Sequence, residues 1–144
     1  MKLSSYPKIS IEYIAGLFDG EGCVGIYRNK GSYDIRYKNL KKSSSFVRIV
    51  NIAATYKPVL IQIQNTLGYG RLRNLKTKKK RNKQNWEWVI GSKENIIDFL
   101  TKIYPYSHEK REQIDIMIKT MRGELDELES ALRLKALKKV SYEN

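Results

Sequence analysis

Ile14-Ala15-Gly16-Leu17-Phe18-Asp19-Gly20-Glu21-Gly22 is the stretch that decides the fold. Ser10 stands before it as a helix N-cap, and Ile11, Ile14 and Phe18 recur at helical spacing. A helix is therefore predicted from about Ser10 to Asp19, with Gly20 and Gly22 stopping it. Gly16 and Gly20 are four positions apart and share one helix face. Residues that small let a second helix backbone approach closely. Glu21 then projects from the C-terminal end. In a two-fold pair of such helices two Glu21 carboxylates would face each other, and facing carboxylates suit Mg²⁺, which prefers oxygen ligands. Metal-assisted hydrolysis of a phosphodiester is the chemistry such a pair supports.

Outward from this stretch, the chain changes to short β-prone pieces. Val24 to about Lys38 reads as a hairpin around Asn29-Lys30-Gly31-Ser32. Phe46 to about Ala54 reads as a strand. Pro58 opens a helix to about Leu67, ended by Gly68-Tyr69-Gly70. Arg71 to Lys76 and Gln84 to Ile90 read as two strands around a cationic turn, Lys78-Lys79-Lys80-Arg81. Trp86, Trp88 and Ile90 alternate with Glu87 and Val89, so one face of the last strand is buried. Ser92 caps a helix to about Ile103. Tyr104-Pro105-Tyr106 breaks the chain before helices at about Ser107 to Arg122 and Glu124 to Lys139, separated by Gly123. The order implies an α+β fold: an antiparallel sheet with helices on one face and a basic face on the other.

Charge points the same way. The 144 residues hold 28 Lys+Arg against 15 Asp+Glu, a net charge of +13 that calls for a polyanionic partner. Residues 28–85 carry 16 basic residues and one acid, Asp34, whereas residues 107–144 carry eight of each sign. The excess is thus confined to the strands and their turns. A length of 144 suits one domain, 1–144, with its core over about 10–122. No apolar run approaches the span of a bilayer, and the N-terminal MKLSSYPKIS lacks the apolar centre of a signal peptide. One cysteine, Cys23, excludes an internal disulfide and fits a reducing compartment. An intracellular protein with no membrane partner is expected. Cys23 reads as a packing residue, the single histidine His108 as structural, and Leu125, Leu128 and Leu132 as helix-packing residues.

The segment Ile14 to Gly22 resembles the nine-residue signature of the LAGLIDADG homing endonucleases. Seven positions agree outright or conservatively, Gly20 replaces an alanine, and Glu21 stands where an aspartate is usual. The resemblance extends over about residues 10–122, through Leu67-Gly68-Tyr69-Gly70 and the run from Trp88 to Pro105. It implies a sequence-specific endonuclease that makes a metal-dependent staggered cut in a long pseudo-palindromic DNA site, of the intron- or intein-homing type. A single motif copy implies a homodimer with the motif helix at its interface, through Ala15, Gly16, Asp19 and Gly20. The implied metal ligands are Glu21 and Gly20, for Mg²⁺ with Mn²⁺ as a substitute. The implied catalytic set is Glu21, Lys110 (by its spacing after Tyr104-Pro105-Tyr106), Lys57 and, behind it, Asn51. Arg28, Lys30, Arg36, Lys38, Arg48, Arg71, Arg73 and Lys76 are the expected contacts to double-stranded DNA. The alternative is a non-cutting nucleic-acid binder or an RNA maturase on the same fold, with intron RNA as partner. A basic ribosomal structural protein explains the charge but not the motif.

Overall fold

The computed structural model describes residues 6–28, 46–75 and 85–143. Within them the chain forms α1 (Ile11–Glu21), β1 (Gly22–Arg28), β2 (Phe46–Ala54), α2 (Lys57–Leu67), β3 (Arg71–Leu75) and β4 (Asn85–Ile90). There follow α3 (Lys93–Ile103), a 3-10 turn (Tyr104–Tyr106), α4 (Arg111–Met121) and α5 (Glu127–Glu143). The four described strands form one antiparallel sheet in the order β1-β2-β4-β3. This is the expected α+β class. The second arm of the expected hairpin, after Asn29, lies outside the described residues.

Strand parity separates the two faces. Val24 and Ile26 of β1, Val50 and Ile52 of β2, and Trp88 and Ile90 of β4 are buried. They join Ile14 and Phe18 of α1, Leu60 and Ile63 of α2, Phe99 of α3, Ile114 of α4 and Leu134 of α5 in one core. Phe99 is the hub. Its ring meets Phe18 edge-on at 5.3 Å and Trp88 at 5.0 Å, and Trp88 Nε1 donates to the Tyr69 carbonyl at 3.1 Å. Removing a ring buried this way costs about 3–5 kcal/mol.

Three element boundaries differ from the sequence expectation. First, α1 starts where Ser10 predicts, with Ser10 Oγ accepting from the Tyr13 N–H at 3.1 Å. It does not stop at Gly20 but runs to Glu21. The cap is Gly22, whose backbone is extended at φ −85°. Gly22 is needed for space, since a Cβ there would lie 2.4 Å from Phe18 Cδ1. Second, the fourth helix begins at Arg111 and not near Ser107. The turn just ahead of it, His108 and Lys110, is held by Asp19, as described below. Third, the last helix begins at Glu127, and Gly123 (φ 81°) takes the turn before it. The middle helix ends as expected on left-handed Gly68, φ 82°.

Candidate active site

Two faces of α1 do different work. Ile14, Ala15 and Phe18 are fully buried. Tyr13 is 56% exposed, and Gly16 and Gly20 are exposed with nothing within 4 Å of where a Cβ would sit. The open stripe is therefore Tyr13, Gly16, Leu17 and Gly20, at the i, i+3, i+4, i+7 spacing of one face. Ala15 does not belong to it. At about 100° per residue Ala15 turns into the core, which corrects its expected place at a surface interface.

Asp19 also turns inward, and it ties two distant parts together. Its carboxylate accepts from the His108 N–H at 2.7 Å and from the Lys110 N–H at 3.2 Å. These groups lie in the turn that leads into α4, whose N-cap residue Lys110 makes no side-chain cap of its own. A carboxylate from another helix thus holds the turn that leads into α4, near the end where the helix dipole favours negative charge. In return Lys110 Nζ donates to the Asp19 carbonyl at 2.6 Å. Each Asp19 oxygen accepts one of these bonds, and the half-buried side chain also borders the hollow described next.

Glu21 remains the exposed carboxylate at the end of α1. It borders two hollows. One, of about 570 Å³, also holds Lys110, Gln113, Glu109, Cys23 and Lys138. The other, toward the open stripe, holds Tyr13, Leu17, Ala53, Ala54, Thr55 and Tyr56. Glu21 and Lys110 are accordingly brought together across 89 positions of sequence. Asn51 and Lys57 are not brought to them. The Lys57 ammonium lies 4.2 Å over the Trp86 ring, while its neighbour Tyr56 faces the hollow. Asn51 lies on the outer sheet face and donates to Glu87 Oε2 at 3.1 Å.

Lys138 is a site-bordering residue that the sequence did not single out. Its ammonium donates to Tyr27 Oη at 3.0 Å and lies 3.4 Å from Cys23 Sγ. Burial works against its charge, but the Tyr27 hydrogen bond and the neighbouring Cys23 outweigh it and raise the pKa above the ordinary lysine value. Helical spacing placed α5, yet no local signal paired Lys138 with a residue 115 positions earlier.

The oxygen chemistry of Glu21 fits a hard divalent cation. Among the described residues of one chain there is no group of three His, Cys, Asp or Glu that could hold a metal ion. Gly20 has only its backbone carbonyl to offer.

The outer sheet face carries Arg71 and Arg73, both exposed, around a trough also lined by Val47, Ile49, Asn51, Glu87 and Val89. Arg48 departs from expectation. It pairs with Ile26, has the parity of buried Val50, and sends Nη1 to Met121 Sδ at 3.7 Å on the helical side. Arg28 closes β1 opposite Phe46, and its side chain lies outside the described set. Lys30, Arg36, Lys38, Lys76 and the turn Lys78-Lys79-Lys80-Arg81 lie outside the described residues. Eleven of the 16 basic residues between positions 28 and 85 fall in those two segments, 29–45 and 76–84.

An exposed acid at a helix end, a lysine beside it and an arginine-bearing sheet face are the equipment of a nucleic-acid phosphodiester hydrolase. The sequence model of the LAGLIDADG endonucleases matches residues 14–121, and the chain belongs to that family of DNA-cutting enzymes. No curated protein matches it by sequence. Among solved structures it is similar to the homing endonuclease I-CvuI in complex with a DNA target and Mg, at TM-score 0.68 and 20% identity, over 88% of this chain and 80% of that one. It is similar also to the archaeal intron-encoded homing endonuclease I-Vdi141I complexed with DNA, at TM-score 0.64 and 19% identity over 90% and 82%. A third is the homing endonuclease I-TnaI, at TM-score 0.58 and 21% identity over 94% and 98%. At these identities the likeness establishes the fold. No helix among the described residues is long and apolar enough to cross a membrane.

Proposed function

We propose that two copies of this chain pair through the open face of α1 and make a metal-dependent, staggered double-strand cut in a long pseudo-palindromic DNA site, as an intron- or intein-homing endonuclease does. The observation that carries this reading is the junction of an unobstructed glycine stripe, Gly16 and Gly20, with the free carboxylate of Glu21. Close approach of two such helices sets two Glu21 carboxylates side by side. Each chain then contributes one acid to a shared cation site and one lysine to the phosphate of one strand. Two-fold symmetry of the protein matches two-fold symmetry of the site.

Glu21 would hold Mg²⁺, with Mn²⁺ as a substitute, and Gly20 could add only its carbonyl. When bound, the cation supplies a Lewis acid and lowers the pKa of a water. Lys110, anchored on the Asp19 carbonyl, neutralises charge on the phosphate as it becomes pentacovalent. Asp19 fixes where that ammonium sits by holding the turn that carries it. Arg71 and Arg73 meet the DNA on the outer sheet face, where guanidinium groups grip phosphate or read guanine. The free acid at position 21 favours cutting over a maturase or binding-only role.

The test is a cleavage-site selection on a library of long random duplexes. With Mg²⁺, cut ends sharing one pseudo-palindromic sequence are expected. With Ca²⁺, retention without cutting is expected, and Glu21→Gln should bind without cutting in Mg²⁺. An uncut library together with a Glu21→Gln profile identical to wild type would reject the reading.

A further inference from the structure

Glu87 is the anomaly of the outer sheet face. In a chain of net charge +13 it is 5% exposed, on the face that carries the arginines. Two neighbours on other strands account for it. Arg73 lies directly opposite in the β3–β4 ladder, and its Nη2 is 2.9 Å from Glu87 Oε1. That contact is an ion pair by distance and not a hydrogen bond by angle, because Oε1 has no hydrogen-bond partner. Asn51 lies diagonally across the β2–β4 ladder and donates Nδ2 to Oε2 at 3.1 Å. The carboxylate forms the floor of the trough, and the Arg73 side chain stands 51% exposed at its edge.

We propose that Glu87 is a specificity-determining positioning residue, which orients Arg73 and Asn51 to read purine edges in the major groove. A carboxylate only accepts, so it fixes the Asn51 amide with nitrogen inward. The acceptor oxygen and the second N–H are then left for the pair that adenine offers through N6 and N7. Arg73 is held at one nitrogen, and its other donors match O6 and N7 of guanine. The negative charge also keeps phosphates off the trough centre, so base edges and not backbone settle there. This inference rests on the DNA-cutting reading and adds to it which side chains choose the sequence.

The experiment uses duplexes recovered from the Mg²⁺ selection, each carrying one base-pair change, with binding to the full chain measured in Ca²⁺. Arg73→Ala and Asn51→Ala first mark the positions that each residue reads. Glu87→Gln is nearly isosteric, and thermal melting checks that it folds. It should bind all duplexes more tightly, yet lose about tenfold of its discrimination at those marked positions and none elsewhere. Discrimination lost equally at all positions, or an unchanged discrimination profile, overturns the proposal. So do Arg73→Ala and Asn51→Ala if they leave discrimination intact at every position. A wild-type profile that is flat throughout overturns the parent reading instead, so the two failures are told apart.

Discussion

The motif helix and the outer sheet face both serve DNA cutting on this reading, but they are built on opposite principles. On α1 function comes from what is missing. Gly16 and Gly20 clear a surface, and a single acid stands at its end. On the sheet it comes from crowding: Arg73, Glu87 and Asn51, from three strands, constrain one another. A cleared surface is robust within one chain and useful only to a second. A crowded one is fixed within one chain and sensitive to each member.

Substitutions test that contrast, and the largest effect is expected at the cleared surface. Gly16→Leu projects a side chain into open space, so each chain should fold normally and melt no lower than wild type. Pairing should fail, and cleavage should fall by at least about 10³-fold because no second acid arrives. Sedimentation and a cleavage time course report the two together, and an active Gly16→Leu dimer breaks the comparison. Lys110→Met comes next, with cleavage reduced by about 10²–10³-fold at little cost to binding in Ca²⁺. A change in Kd as large as the change in rate would instead make Lys110 a binding residue.

Gly70→Ala shows a crowded glycine. Gly70 sits at φ 100°, and a Cβ there would come 2.0 Å from Trp88 Nε1. A loss of about 2–4 kcal/mol is expected in chemical denaturation. Gly16→Ala should instead gain up to about 1 kcal/mol from helix propensity. The smallest effect lies at Asp98. The Lys102 ammonium first, and the Tyr69 hydroxyl second, hold its carboxyl below the ordinary range. A lowered folded-state pKa stabilises above the unfolded value and loses that contribution as pH falls through the folded one. The Asp98 side chain is 45% exposed, so wild type should exceed Asp98→Asn by less than about 1 kcal/mol at neutral pH. The gap should close in acid, and a gap that persists there removes Asp98 from the account.

How far the sequence could be read follows the same division. The helix, its Ser10 cap, its core stripe and Glu21 lie within a dozen consecutive residues, where periodicity and capping act. The alternation of Trp86, Trp88 and Ile90 likewise located the core face of β4. Charge misled at Arg48, suggesting an outward residue, while parity with Val50 and Ile52 had already assigned that side to the core. Lys57 was one residue from the side chain that faces the hollow, since the corner between β2 and α2 turns Tyr56 toward it and Lys57 onto Trp86. The Glu87 cluster and Lys138 depend on strand register and helix placement, which no short window contains.

The bonds from Asp19 to His108 and Lys110 span 89 and 91 positions. That separation gives synthesis a direction. An emerging chain presents its acid early, and its lysine and the turn that anchors it only about 90 residues later. Long-range closure of this kind is slow relative to local helix formation. A newborn chain thus holds its acid well before the lysine that the proposed chemistry sets beside it.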